Sequence, residues 1–304
     1  MAGIALCEPH CLYNILNQKR RVSRLAEANY LCLLDARTQH EYNESHIITA
    51  RRIEQYLVPD SEELRCVRYC VVYDCETSSL DYSSKGRYEE SEVSFYCADL
   101  FLKQTELEAS RLDPLGEEGG QFTRHPVLIL RGGYKRFSAC YHFLSTQKIL
   151  WMPQELDNFQ PYPVEILPEK LYMGNFKQAC DQQIQRNLKI KAQVNISEQP
   201  ATLFAEGGKY LHIPVPDSLE ADLFSSFATI CHFIALVAKV LSPGSYSVQV
   251  PNIYLLSCCL QRAWDYVLQC KTNMRPHRGF VKQLSDWETQ IYGTTITDIS
   301  EPNY

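Results

Sequence analysis

The stretch Tyr30-Leu31-Cys32-Leu33-Leu34-Asp35-Ala36-Arg37, followed by Glu41-Tyr42, His46-Ile47 and Ala50, decides the fold of the first half of the chain. Residues 30–34 form an unbroken apolar run that stops at a carboxylate. That is the pattern of a short strand buried on both faces of a parallel sheet. Cys70-Val71-Val72-Tyr73 repeats it, and so does Val127-Leu128-Ile129-Leu130, which is ended by Gly132-Gly133. Helical stretches lie between and around these runs. Pro9 opens an amphipathic segment carrying Leu12, Ile15 and Leu16. A further helix is predicted from about Val93 to Leu107 in the acid-rich segment 88–121, ahead of a solvated loop at Leu115–Gly120. Strands alternating with helices predict an α/β domain over residues 1–150.

Outward from this domain, Pro153, Pro161, Pro163 and Pro168 crowd residues 151–168. Dense proline disfavours helix and suits an extended linker between domains. A second α/β pattern follows over residues 169–293, with a tail at 294–304. Lys170–Met173, Ala192–Ile196 and Tyr210–Val215 read as strands. Leu219–Leu241, Asn252–Cys270 and Gly279–Tyr292 read as helices. The two halves share only this alternation and show no internal repeat.

The bulk properties agree with two ordinary globular domains. The chain has 304 residues, 45% hydrophobic and 22% charged, with a formal charge of −6. The acidic balance gives no support to nucleic-acid binding. Thirteen cysteines occur, an odd number with no C-x-x-C pair, so zinc and thioredoxin-like chemistry are disfavoured. Most are expected to be reduced, buried small hydrophobes in a reducing, cytoplasmic compartment. No metal or cofactor is implied. The apolar stretch Phe227–Leu241 contains His232 and Lys239 and is too short and too polar to span a bilayer. Lys19, Arg20, Arg21 and Arg24 give the first residues the basic bias of a mitochondrial transit segment. Glu8-Pro9 ahead of the apolar positions favours a domain helix instead.

Asp35-Ala36-Arg37, Glu41-Tyr42, His46-Ile47 and Ala50, together with Gly132-Gly133-Tyr134 and Phe137, resemble the signature of rhodanese and Cdc25-homology domains. The resemblance implies that Asp35 and Arg37 build the fold. It also implies a catalytic cysteine at the end of the strand Val71-Val72-Tyr73, heading a loop whose backbone amides hold an anion. Asp74 stands at that position and Cys75 follows one place late. A carboxylate at the mouth of an anion cradle repels both a thiolate and an anionic substrate. Glu76–Asp81 adds acids and no arginine. Sulfurtransfer by Cys75 is therefore not expected.

Residues 160–293 resemble dual-specificity phosphatases. The likeness rests on Ile166-Leu167-Pro168 with Leu171-Tyr172-Met173-Gly174-Asn175, Asn195-Ile196-Ser197, and Tyr210 with Ile213-Pro214-Val215 and Asp217. It resumes at Arg262, Trp264 and Val267, then at Pro276, Arg278-Gly279-Phe280 and Gln283-Leu284, and at Trp287-Glu288. The family's chemistry needs a thiolate nucleophile, an arginine six residues later that grips phosphate oxygens in bidentate fashion, and an aspartate that protonates the leaving group. Asp217 matches the aspartate. The His-Cys-x5-Arg loop has no counterpart, because Ser245–Asn252 stands where it belongs. Only Cys180 has an arginine six places on, Arg186. The intervening Asp181–Gln185 contains no glycine, reads as helix and lies upstream of Asp217. His10-Cys11, the sole His-Cys pair, has Asn17 at the sixth place.

The pairing of the two domains resembles the layout of MAP kinase phosphatases, with a degenerate site in each half. It implies a catalytically inactive, pseudophosphatase-like protein that binds signalling partners: a phosphatase, a kinase or a phosphoprotein. Asp217 would be a vestigial acid, and Asp74 and Cys75 a degenerate loop. The alternative is a residual cysteine-dependent phosphatase or sulfurtransferase. The basic kinase-docking cluster of that family is reduced here to Arg51-Arg52 before Glu54, with Lys19-Arg20-Arg21 as the other basic run.

Overall fold

In the computed structural model, the described residues are 3–20, 22–27, 29–53, 67–79, 125–150, 153–156, 159–200, 208–240 and 259–300. The chain folds as two compact units, Met1–Pro161 and Tyr162–Tyr304. The predicted helix Val93–Leu107, the loop Leu115–Gly120 and the stretch Ser245–Asn252 lie outside the described residues.

In the first unit, β1 (Ile4–Cys7) leads into α1 (Pro9–Leu16). Then come β2 (Leu31–Asp35), α2 (Gln39–Glu44), β3 (His46–Ile47), β4 (Arg51–Arg52), β5 (Tyr69–Tyr73), β6 (Val127–Leu130), α3 (Gly133–Tyr141) and β7 (Ser145–Thr146). Five of the strands form one sheet in the order β1-β6-β5-β2-β4, and every pairing in it is parallel. β3 and β7 form a small antiparallel pair. Because both faces of the sheet are covered, the apolar runs need no polar alternation. Leu34, Val72, Val127 and Ile129 pack together at its centre. Leu12 and Leu16 of α1 are completely buried, and Tyr13 stacks on Tyr141 at 4.5 Å. Residues 4–16 are thus part of the domain core. β1 is absent from the sequence reading, although Ile4–Cys7 is an apolar run of the same length as Val127–Leu130, with which it pairs.

The second unit begins earlier than proline density suggests. β8 (Val164–Leu167) lies inside the stretch read as linker, and all its residues are buried. The prolines bracket this strand without entering it, as strand-end prolines do. β8 pairs antiparallel with β9 (Leu171–Met173). Two short helices follow, α4 (Phe176–Cys180) and α5 (Gln182–Asn187). β10 (Ala192–Ile196) pairs in parallel with β11 (Lys209–Ile213). α6 (Phe224–Val240), α7 (Leu260–Cys270) and α8 (Arg278–Tyr292) complete the unit. α6 starts five residues later than its apolar pattern predicts. The Gln283 side chain fixes that start, since its Oε1 accepts from the amides of Leu223 and Phe224 and its Nε2 donates to Ala221 O, each at 2.7 Å. The described part of the segment read as a tail is docked. Thr297 is 4% exposed and is held by Glu288.

The cysteines depart from expectation. Of the ten described, Cys7, Cys32 and Cys270 are buried, Cys11 is exposed and the remaining six are half-buried. Several stand at sheet or helix boundaries, where a small apolar side chain covers only part of an edge.

Candidate functional site

Both strand ends flagged by sequence sit at the C-terminal edge of the parallel sheet, where α/β folds place their ligand sites. At the end of β2, Asp35 is fully buried and forms a bidentate pair with Arg37, at 3.0 Å from Nε and 2.6 Å from Nη2. The Tyr73 hydroxyl donates to Asp35 Oδ2 at 2.7 Å and accepts from Ile47 N at 3.2 Å. Arg37 also donates to Ser45 O at 2.7 Å, and its guanidinium lies 3.8 Å from the Tyr134 ring centroid. One buried ion pair therefore ties β2, β3, β5 and α3 together. Asp35 and Arg37 act as frame residues, their hydrogen bonds directed inward.

The loop after β5 is closed on itself. Asp74 is 3% exposed. Its Oδ1 accepts from the amides of Glu76 (3.0 Å) and Thr77 (2.9 Å), and its Oδ2 accepts from the Thr77 hydroxyl. These are donors that a bound anion would otherwise use. The loop carbonyls in turn accept from the first turn of α3, Tyr134 N to Asp74 O at 2.7 Å and Lys135 N to Cys75 O at 3.0 Å. Gly133 permits this seating. Its φ is +55°, and a Cβ there would stand 2.5 Å from Asp74 O, Cys75 C and Glu76 N.

Cys75 is half-buried, and its Sγ donates to Glu41 Oε1 at 3.0 Å. Burial, followed by the hydrogen bond to Glu41 and that residue's charge, pushes the thiol up to about 12, with Arg37 opposing. The protonated thiol is a poor nucleophile. Glu41 is the contact that sequence reading did not assign to the site. Its signal was present as Thr38-x-x-Glu41, a capping box that the structure shows complete at the start of α2. The capping interactions with Thr38 hold the carboxylate beside the thiol and keep Glu41 below its ordinary value.

In the second unit, Asp217 lies on the loop after β11. Its side chain is 93% exposed, and Oδ1 is 3.4 Å from His277 Nε2 at the start of α8. Gly279 lets the loop sit there, since a Cβ would meet Leu219 O at 2.5 Å. Asn195, matched to the second strand, is structural: its Nδ2 donates to Gln199 O at 2.7 Å and to the Tyr210 hydroxyl at 2.9 Å. Cys180 closes α4 and Arg186 lies on α5. Asp181 separates them, capping α5 through the amides of Gln183 (2.8 Å) and Ile184 (3.1 Å). The pair therefore flanks a helix break and does not enclose an amide-lined loop; the continuous helix expected there is interrupted by that cap.

Of the basic residues considered for docking, Arg52 is 9% exposed and bonds Gln39 Oε1 at 2.5 Å, which leaves Arg51 as the outward member. Arg24 is 7% exposed and pairs with Glu27 at 2.9 Å. Among the described residues no His/Cys/Asp/Glu group could hold a metal, and no helix is long and apolar enough to cross a membrane.

Residues 17–140 match the family described as rhodanese-like domain. The chain is 31% identical over 147 residues to dual specificity protein phosphatase Mpk3 of Drosophila melanogaster, covering 44% of this chain and 36% of that protein. It is 35% identical over 144 residues to dual specificity protein phosphatase 5 of Homo sapiens, covering 44% and 37% respectively. The chain thus spans little more than a third of the length of these relatives. A solved structure of human DUSP28 aligns with 23% identity and a TM-score of 0.37 over 43% of this chain and 95% of that one. The chain is an α/β protein that carries a rhodanese-like domain and is homologous to dual-specificity phosphatases.

Proposed function

We propose that the protein is a pseudophosphatase of the serine/threonine/tyrosine-interacting-like kind: a phosphatase-like chain without turnover that acts as a regulatory binding or scaffold protein in phosphorylation signalling. The observation that carries the reading is the position of Cys180 and Arg186. They are the sole Cys-x5-Arg pair in the sequence, and they lie on two helices separated by the Asp181 cap. A nucleophile and arginine in that arrangement have no shared ring of amides to hold a phosphoryl group. Asp217, exposed and facing His277, is then an acid with no leaving group to protonate. The first unit supports the same reading, since the Asp74 carboxylate fills its own amide nest and burial, with Glu41 second, favours the protonated Cys75 thiol. That contact also weighs against the sulfurtransferase alternative.

A protein of this kind acts by what it binds. Its partners on this reading are signalling proteins, a phosphatase, a kinase or a phosphoprotein, met in the cytoplasm, with mitochondria as the second compartment. The test is a turnover assay of the purified full chain on a generic aryl phosphate. The expected rate equals that of buffer. A rate above buffer that is lost on substituting Asp217 or Cys180 overturns the reading.

A further inference from the structure

In the first unit, Cys32 of β2 and Cys70 of β5 are register partners on neighbouring parallel strands. Among the described residues they are the only two cysteines that face each other across a strand pair. Register partners project from the same face of a sheet, so the two side chains share a row that continues to Val127 of β6 and Ile4 of β1. The two thiols hydrogen-bond each other. That bond, then burial, then the charge of a Cys32 thiolate hold Cys70 well above the usual thiol value. Cys32 is 7% exposed and Cys70 half-buried, and both pack in the apolar cluster around Leu34 and Val72.

We propose that Cys32 and Cys70 form a reversible disulfide on exposure to peroxide, a redox-sensitive clasp between β2 and β5. Adjacent strands stand about 4.8 Å apart, inside the Cα separation of about 4.4–6.8 Å that a disulfide spans. The strands are thus already at bonding separation, and the sulfurs, already in contact, close by turning about their Cα–Cβ bonds. The oxidant is hydrogen peroxide. Cys70 loses its proton, and the thiolate sulfur attacks one peroxide oxygen. The O–O bond breaks, which leaves a sulfenic acid on Cys70 and a hydroxide that takes up the released proton. The Cys32 sulfur then attacks the Cys70 sulfur. The S–S bond forms, the S–O bond breaks, and the departing hydroxide leaves as water with the Cys32 proton. Two thiols and one peroxide give one disulfide and two waters. Only the thiolate reacts, and the thiol–thiol hydrogen bond keeps Cys70 protonated, so the pair answers sustained exposure and is slow towards a brief one. The bond closes the segment 33–69, which carries Asp35, Arg37 and Glu41, and so removes freedom from the unfolded chain. Neither cysteine lies in the loops on which the pseudophosphatase reading rests, so the two stand or fall separately.

The experiment treats the reduced full-length protein with hydrogen peroxide, alkylates the remaining thiols, digests without reductant and maps the peptides by mass spectrometry. A peptide pair linked through Cys32 and Cys70 is expected, and dithiothreitol should abolish it. The same treatment in urea, where the strand register is lost, should give about tenfold less of this pair. The oxidised protein should melt about 5–10 °C above the reduced protein. Cys70→Ala should lose both the link and the rise in melting temperature. Absence of the linked pair overturns the proposal, and so does an equal yield in urea. A link that leaves the melt unchanged overturns it too, as does a rise that persists in Cys70→Ala. If that variant does not fold, the linked pair, the urea comparison and the melt of the wild-type chain decide the matter.

Discussion

Replacing Glu288 by glutamine should unfasten the second unit from its C-terminal side. The carboxylate on α8 accepts from Leu260 N (2.6 Å), the Thr297 hydroxyl (2.8 Å), Thr297 N (2.8 Å) and Ile296 N (3.1 Å). It thereby caps the start of α7 and holds residues 296–297 at once. All four partners are donors, so a glutamine must point its NH2 at two of them. Two charge-assisted bonds are lost and the other two become neutral. At about 1.5–3 kcal/mol for a bond to a charged acceptor, and allowing for non-additivity, the cost is about 3–4 kcal/mol. That lowers the melting temperature of a unit of this size by roughly 10 °C. The assay is tryptophan fluorescence on heating, because Trp264 and Trp287 both lie in the second unit. The pH dependence supplies the sign. Burial raises the Glu288 pKa, but the Thr297 and Leu260 amides, the Thr297 hydroxyl and the Ile296 amide outweigh it and leave the group below its ordinary value. A depressed carboxylate contributes stability above its unfolded pKa, near 4.3, and loses it as pH falls through the folded pKa. The gap between wild type and variant should therefore be full at pH 7 and narrow below about pH 4. A variant that melts with wild type at pH 7, or a gap that stays constant into acid, refutes the reasoning.

Asp35→Asn leaves Arg37 buried beside a neutral partner and should destabilise the first unit by about 3–5 kcal/mol in a chemical melt; a loss below about 1 kcal/mol would show the pair to be dispensable. Cys75, with its thiol near 12, should react with iodoacetamide at pH 8 far more slowly than exposed Cys11, and Glu41→Gln should speed it; equal labelling of the two cysteines, read by mass spectrometry, contradicts this. Gly133→Ala forces a Cβ against the backbone of Asp74–Glu76 at positive φ and should cost at least about 2 kcal/mol; a neutral effect on the melt would mean that the loop moves aside freely. Val248→Cys should remain inactive on an aryl phosphate, because the sixth following residue is Tyr254; measurable turnover would reveal a phosphate cradle unsupported by any motif in the sequence.

Much of the sheet was legible because buried parallel strands announce themselves. Leu31–Asp35, Tyr69–Tyr73 and Val127–Leu130 are continuous apolar runs with a hard polar or glycine stop. β1 and β8 were missed for different reasons. Ile4–Cys7 is an apolar run of the same length as Val127–Leu130 that was passed over beside the basic N-terminal residues, and Val164–Leu167 was assigned to a linker from its flanking prolines although Ile166-Leu167-Pro168 already carried the phosphatase likeness. The start of α6 was misplaced because its cap comes from Gln283, some sixty residues away in sequence, and no local pattern can report that. In the candidate site, Asp74 was expected to repel an anion, and its hydrogen bonds were not foreseen. The side chain accepts from the Glu76 and Thr77 amides of its own loop. The Glu41–Cys75 contact joins α2 to the loop after β5 and could be suspected only from the capping box that fixes Glu41 in place.

The self-closure of the 74–77 loop has a consequence for what such a domain can do. A loop that presents free amides to an anion is strained when empty, because unpaired inward-facing donors cost free energy until a ligand arrives. Its shape therefore follows ligand occupancy. Here the donors of Glu76 and Thr77 are met from within by Asp74, and the loop carbonyls are met by Tyr134 N and Lys135 N. The Lys135 ammonium lies 3.0 Å from the Glu76 carboxylate at the surface. The Glu76 and Thr77 amides therefore have partners with nothing bound. A surface that is already ordered loses little conformational entropy when a partner docks on it. The Asp35–Arg37–Tyr73 network beneath it ties the strand side by hydrogen bonds of its own. Loop and frame together therefore hold the backbone at the C-terminal end of β5 by hydrogen bonds internal to the chain.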